Sequence, residues 1–297
     1  MEGKITGEKI FGKITGMKSQ NRTGKDVKYS GKNWKIYDIS IFGGSQARVL
    51  KRISQWLMSE SGPKWIATVN TEFVMAAEKD EDFKRILGKT SLNVADGIGL
   101  IWAKEFLKLE SYKVYKVRSK ILRFLLRLAW GFKVGIEILR GEHRENLVSG
   151  ADLMDKMCEL AEKMGKSVYF LGGWGNRSER TAAYFLAKHP KLKVAGFKEE
   201  NFDFKTRADI LLVTFGMRRQ EEWIANHIDK LRVKVVMGVG RSFDYYSGDL
   251  KRAPKQWRKM GLEWLYSLYQ EPKRWRRQIA LPKFVWKVLI TGFTSKD

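Results

Sequence analysis

Apolar and polar positions alternate through Trp34-Lys35-Ile36-Tyr37-Asp38-Ile39, the period-two pattern of a half-buried strand. The period then lengthens. After Ser45, a residue type suited to capping a helix, Val49, Ile53, Trp56 and Leu57 form an apolar stripe that predicts a helix through Leu57. The apolar run at 64–68 predicts a short buried strand, 71–87 a helix, and 92–95 a strand ending at Asp96-Gly97. From Ser149 the rhythm resumes with helices over 151–164, 178–188 and 220–231. Strands are expected at 167–171, 192–196, 210–216 and 233–239. Short strands alternating with helices predict an α/β fold with a mainly parallel sheet.

Three stretches break this rhythm. Residues 1–33 carry a repeated Gly-Lys-Ile-Thr-Gly and read as a weakly ordered tail. Residues 104–144 are basic, net +7, and interrupt runs such as Phe124-Leu125-Leu126 with Arg123, Arg127 and Lys133. That pattern suits either a helical hairpin packed on its own domain or an amphipathic helix at a membrane interface. Residues 251–297, net +9, interleave Trp257, Trp264, Trp275 and Trp286 with arginines and read as a basic aromatic appendage. The expected division is thus a tail at 1–33, an α/β core at 34–250 with a basic insertion at 104–144, and an appendage at 251–297. Removing the appendage is expected to leave the core folded.

Composition narrows the partners. Lys and Arg number 57 against 33 acids, a net charge of +24 in 297 residues, which points to a polyanionic partner. One cysteine, Cys158, excludes an intramolecular disulfide. The three histidines, His143, His189 and His227, offer no pair at helical ligand spacing, so no metal or other cofactor is expected. Apolar runs fall far short of the roughly 20 residues that span a bilayer, and no cleaved leader is evident. A cytoplasmic protein, peripheral on the inner face of the cell membrane, is expected.

Candidate chemistry gathers at strand ends, where open α/β sheets bind ligands. Thr68-Val69-Asn70 follows one predicted strand, and Asp96, with Gly97 and Gly99, follows the next. A carboxylate there suits a general base on a hydroxyl, although Thr68, Asn70 and Asp96 also suit helix caps. Gly172-Gly173 and Gly238-Val239-Gly240 permit close approach of a nucleotide or phosphate. Gly172-Gly173-Trp174-Gly175 is no dinucleotide fingerprint and no Walker A motif occurs, which disfavours a dehydrogenase or a P-loop NTPase. Gln220-Glu221 and Asp244 lie beside the later strand ends.

Four separated segments resemble the WecG/TagA/CpsF glycosyltransferases, glycosyltransferase family 26. They are Thr68–Val74, Ala95–Gly99, Gly150–Met154 leading to Phe170–Gly173, and a run from Gln220–Ala225 through Gly238–Gly240 and Phe243-Asp244 to Gly261–Tyr266 and Gln270-Glu271-Pro272. The resemblance implies a Rossmann-like core and an inverting transfer of an N-acetylmannosamine-type sugar. The donor would be a UDP-sugar and the acceptor a polyprenyl-diphosphate-linked amino sugar, in cell-surface polysaccharide synthesis of the teichoic acid kind. It implies Asp96 as catalytic base with Thr68 in the same pocket, and Asn70 and Gln220 as substrate-binding residues. Gly172, Gly173, Gly238, Gly240 and Asp244 would line the nucleotide pocket, and Arg274 and Arg277 would hold the diphosphate.

The chain departs from the family pattern at four places. Leu147 stands where arginine is usual, with Arg144 a candidate substitute. Ser267 stands where arginine follows the Trp-Leu-Tyr run. Arg241 replaces the last glycine of Gly-Val-Gly-Gly, and Arg218-Arg219 replaces Pro-Lys. The competing readings are a nucleic-acid-binding protein, which the charge and the arginine beside Trp275 also suit, and a catalytically degenerate membrane-bound family member.

Overall fold

The computed structural model describes residues 33–113 and 119–291, with side chains left out at 109–113. The expected tail therefore lies outside the described residues, Asn33 apart. Six parallel strands form the central sheet in the order β4-β3-β8-β7-β5-β6: β3 (Lys64–Val69), β4 (Leu92–Ala95), β5 (Ser167–Gly172), β6 (Lys193–Lys198), β7 (Ile210–Thr214) and β8 (Val235–Gly238). The Rossmann-like α/β expectation is met.

Alternation along the strands divides the core. Ile210 and Leu212 join Phe170, Met237 and Ile66 on one face, against helices α1 (Gln46–Met58) and α6 (Gly150–Met164). Leu211 and Val213 turn to the other face with Trp65 and Val236. Helix α7 (Arg177–Lys188) buries Phe185, which stacks on Phe170 at 5.9 Å.

Two predicted elements are each split. The expected strand at 34–39 is a hairpin, β1 (Trp34–Ile36) and β2 (Ile39–Ile41). Tyr37 and Asp38 both take positive φ, 46° and 66°, and so make a tight turn. The expected helix at 71–87 is two helices, α2 (Thr71–Ala77) and α3 (Glu81–Gly88). The carboxylate of Asp80 accepts from the N–H groups of Asp82 and Phe83 and restarts the helix there. Ser45 does occupy the N-cap of α1, but its hydroxyl makes no capping bond.

The basic insertion takes in the second half of α4 (Ile98–Lys113) and all of α5 (Lys120–Leu139). One side of α5 buries Gly131, Val134 and Ile138, and Trp102 Nε1 donates to Gly131 O at 2.9 Å. Its other side presents Ile121, Leu125, Leu128 and Phe132 to solvent, with Phe132 73% exposed. The helix therefore packs on its own domain, as the hairpin reading expected, and keeps an apolar outer stripe.

The C-terminal segment folds as α8 (Arg219–His227) and α9 (Ser242–Tyr246) give way to α10 (Lys255–Lys259), α11 (Glu263–Gln270), α12 (Trp275–Gln278) and α13 (Ala280–Thr291). Helix α13 buries Phe284, Val288 and Leu289 in the same cluster as Phe106, Val134 and Ala95. The segment expected as an appendage thus forms one wall of a core cluster, which removal of 251–297 would strip away. No described helix is long and apolar enough to cross a membrane.

Candidate active site

Ladder register brings the carboxyl ends of the strands level. Thr68 pairs with Val94, Ala67 with Gly238, Val213 with Gly238, and Gly172 with Thr214. A cavity of about 620 Å³ opens above these ends, within the range of small-ligand sites. Thr68, Asn70, Asp96, Gly173, Gln220, Gly240, Asp244, Arg274 and Arg277 all line it. Residues spread over more than 200 positions thus meet in one place.

Asp96 sits just past β4, partly open to the cavity. Desolvation, reinforced by the nearby charge of Glu263, pushes its carboxyl up to about 7, against a hydrogen bond from Gly150 N–H and the charge of Arg252. A carboxylate so tuned matches the demand on a general base at neutral pH. Gly150 opens α6 directly beneath. A Cβ there would stand 3.2 Å from Asp96 Oδ2 and 3.2 Å from Thr68 Cγ2, so these two side chains converge on the same backbone. Thr68 is buried, and its hydroxyl donates to Gly238 O at 3.2 Å.

Asn70 serves as N-cap of α2: its Oδ1 accepts from Glu72 N at 2.9 Å and Phe73 N at 3.1 Å while the residue lines the cavity. Gln220 is a relay. Gly240 N–H donates to its Oε1 at 3.1 Å, and its Nε2 donates to Glu221 Oε1 at 2.6 Å. Burial pushes the Glu221 carboxyl up to about 7, and it also accepts from Arg218 N–H at 2.7 Å. This network fixes the glycine turn after β8.

The glycines divide into two groups. Gly173 and Gly240 line the cavity, whereas Gly172 and Gly238 do not. Gly172 has φ +103°, and a Cβ there would fall 2.5 Å from Thr214 O. A Cβ on Gly238 would fall 2.7 Å from Gln220 Nε2. Their smallness lets neighbouring strands and the relay close up behind the cavity. Asp244 pairs with Arg177 at 3.1 Å, and burial pushes its carboxyl up.

The arginines are positioned by acids that sequence reasoning did not single out for this role. Arg277 donates through Nε and Nη2 to both oxygens of Glu72, at 2.7 and 3.0 Å, which ties α12 to α2. Arg274 Nη1 reaches Glu271 Oε2 at 3.2 Å, and Arg241 Nη2 reaches the same oxygen at 2.5 Å. Arg252 binds Asp152 at 2.6 Å and Glu263 at 3.3 Å, next to Asp96. Arg144 does not substitute for an arginine at position 147. It lies outside the cavity, donating to Arg258 O and Ile138 O, while Leu147 packs on a core cluster. The chain also carries one triplet of Asp-x-Asp form among its acids, Asp80-Glu81-Asp82, and it lies outside the cavity: Asp80 caps α3 and pairs with Arg218.

The whole arrangement, a tuned carboxylate on the floor and guanidinium groups on the wall of a sheet-end cavity, suits group transfer from or to a diphosphate. Comparison with known proteins agrees with it. The model of the WecG/TagA/CpsF glycosyl transferase family matches residues 34–129 and 123–297. The chain belongs to this family. The two matched segments overlap within α5 and together span the chain from residue 34 onward. The N-acetylglucosaminyldiphosphoundecaprenol N-acetyl-beta-D-mannosaminyltransferase of Bacillus subtilis (strain 168) is 25% identical over 233 residues, covering 75% of this chain and 78% of that protein. The protein of the same name from Staphylococcus aureus (strain MRSA252) is 27% identical over 233 residues, 75% and 79% of the two chains. This WecG/TagA/CpsF member is accordingly a glycosyltransferase.

Proposed function

We propose that this glycosyltransferase moves an N-acetylmannosamine-type sugar from UDP, with inversion, to an N-acetylglucosamine-type sugar on polyprenyl diphosphate. The reaction would serve cell-surface polysaccharide synthesis at the inner membrane face. The observation that carries the reading is the elevated carboxyl of Asp96 in a cavity walled by Arg241, Arg274 and Arg277. The names of the Bacillus subtilis and Staphylococcus aureus relatives supply the sugar and lipid classes.

In this mechanism Asp96 takes the proton from the acceptor hydroxyl as that oxygen attacks the anomeric carbon of the donor. The glycosidic bond to UDP breaks on the opposite face, which inverts the configuration. Thr68 positions a reacting group beside Asp96. Guanidinium groups stabilise the charge that develops on the leaving diphosphate. These cations lead us to expect transfer without a divalent metal. Asp244, on the wall with Gly173 and Gly240, would meet the ribose or base, because a carboxylate repels a diphosphate.

The exposed stripe of α5, together with Trp286 on α13, supports contact with an anionic membrane. Trp286 is 56% exposed, and Phe124 meets it edge-on at 6.3 Å. Trp130 is not part of this surface: it packs against the core, with Lys133 Nζ 4.9 Å from its ring centre. Phe132 and Ile121 provide the apolar surface.

A transfer assay tests the function. UDP-sugars are offered with a short-chain lipid-diphosphate N-acetylglucosamine, and both UDP release and product are measured, in chelator and in magnesium. Product from UDP-N-acetylmannosamine in both buffers is expected. No product and no UDP release from any donor would overturn the reading.

A further inference from the structure

The cavity wall holds an unbalanced charge cluster. Glu271 is shared between Arg241 and Arg274, so two guanidinium groups face one carboxylate. Arg277, the third arginine, is already paired with Glu72. Arg241 and Arg274 are only 20% and 22% exposed. Within that enclosure Arg241 Nε and Nη1 and Arg274 Nε have no hydrogen-bond partner among the described residues. Asp244 Oδ2 stands 3.8 Å from Arg241 Nε, too far for a hydrogen bond. Burial and the charges of Arg241 and Arg277 all press the Arg274 pKa downward, which registers the same excess of positive charge. Buried charged donors without partners are unfavourable, and an anion carrying several oxygens would satisfy them together.

Arg241 reaches this wall from the core. It follows Gly240 at the end of β8, and its guanidinium lies 5.4 Å from the ring centre of Tyr245. Ser267 of α11 stands near the Tyr245 hydroxyl and lowers its pKa against the effect of burial. Ser267 and Arg241 both line the cavity. Both are departures from the family pattern: position 267 has serine for an arginine, and position 241 has arginine for a glycine.

We propose that Arg241 binds the pyrophosphate group of a substrate, supplying from the β8 turn the guanidinium that position 267 lacks. The inference deepens the proposed reaction and rests on it for the identity of the diphosphate, which belongs either to the UDP donor or to the lipid-linked acceptor. Arg241 presents Nε and Nη1 to the phosphate oxygens while Nη2 stays on Glu271. A side chain stapled in this way loses less freedom on binding than a free arginine does.

The test uses the full chain and four variants: Arg241→Gln, Arg241→Lys, Glu271→Gln and the double variant Arg241→Gly/Ser267→Arg. Calorimetry reads inorganic pyrophosphate and UDP, steady-state kinetics reads KM for the lipid-diphosphate acceptor, and melting curves report folding. Arg241→Gln is expected to weaken pyrophosphate binding at least tenfold, and Arg241→Lys, which keeps the charge without the fork, by less. The double variant is expected to recover most of the loss. Glu271→Gln, which removes the negative charge but keeps an oxygen to accept from Arg241 Nη2, should bind pyrophosphate as tightly as the parent or more so. A strut that merely holds Glu271 predicts the reverse, weaker binding and a lower melting temperature in Glu271→Gln. A fall in UDP affinity alone assigns the donor, and a rise in acceptor KM alone assigns the lipid. Unchanged pyrophosphate affinity in Arg241→Gln, or no recovery in the double variant, overturns the inference. A parent that binds pyrophosphate through Arg241 but transfers no sugar overturns the proposed reaction instead.

Discussion

Asp96 and Gly150 face each other at close range: a Cβ on Gly150 would stand 3.2 Å from Asp96 Oδ2, and the Gly150 N–H at the opening of α6 lowers the Asp96 pKa against the effect of burial. The floor of the active site is therefore a carboxylate laid on a helix N-terminus, with Thr68 touching the same backbone. Gly150→Ala would force both side chains outward by a few tenths of an ångström. We expect kcat to fall about tenfold or more, since misplacement on this scale weakens alignment, with the melting curve little changed. Wild-type turnover in Gly150→Ala would mean that the packing of Thr68 and Asp96 on α6 is not needed for alignment.

Asp96→Asn should lower transfer by about 10²–10⁴, the usual contribution of a positioned base, while UDP binding by calorimetry is retained. Transfer at the parent rate would leave Asp96 with a purely structural role.

The pH dependence follows from the same group. Its carboxyl titrates at about 7 in the folded chain against 3.8 ordinarily, and the base works only when ionised, so kcat/KM should rise with pH through a midpoint near 7. Because the folded state holds this proton more tightly than the unfolded one, the contribution of Asp96 to stability declines as pH rises from about 4 to about 7. Asp96→Asn should therefore gain stability relative to the parent at pH 8 compared with pH 5. Glu263→Gln removes a charge that raises the Asp96 pKa, so the midpoint should move to lower pH. Glu221 also titrates near 7 in burial, so Glu221→Gln is the control that should leave the limb in place.

Gly172 is a structural residue in this reading. Alanine there combines φ +103° with a Cβ 2.5 Å from Thr214 O. We expect Gly172→Ala to lower the melting temperature clearly, whether or not nucleotide is present. A variant with normal stability but lost UDP affinity would return Gly172 to the nucleotide site.

The packed pair of α5 and α13 makes two separable contributions. Phe284→Ala, at a fully buried position, should cost about 3–5 kcal/mol in denaturant unfolding. A triple change of Ile121, Leu125 and Phe132 to serine on the neighbouring α5 should leave stability nearly unchanged. In sedimentation with phosphatidylglycerol vesicles, parent binding should weaken with salt, and the triple variant should lose the salt-resistant fraction. Equal salt-resistant binding by the triple variant would move the membrane contact to another face.

The sequence by itself determined the alternation of strands and helices, because a parallel strand buried on both faces must be an apolar run and an amphipathic helix must repeat near every fourth residue. It also placed Thr68, Asp96, Gly173, Gly240 and Asp244 at strand ends, since the polar or glycine residue that closes each run is local information. Tertiary structure decided what depends on partners remote in the chain. The Asp96 carboxyl is set by burial, by Glu263 and by Gly150, none of which is close to it in sequence. The separation of Gly172 and Gly238 from Gly173 and Gly240 depends on which backbone or side chain stands opposite each. The hairpin at Tyr37-Asp38 and the break at Asp80 escaped period counting, because a two-residue turn and a helix restart barely disturb an apolar pattern. Arg241 shows the same limit. In the sequence it is a departure from a glycine, and only the folded chain places its unpaired donors beside Arg274 and opposite Ser267, because electrostatic balance is a property of the enclosed space and not of the chain order.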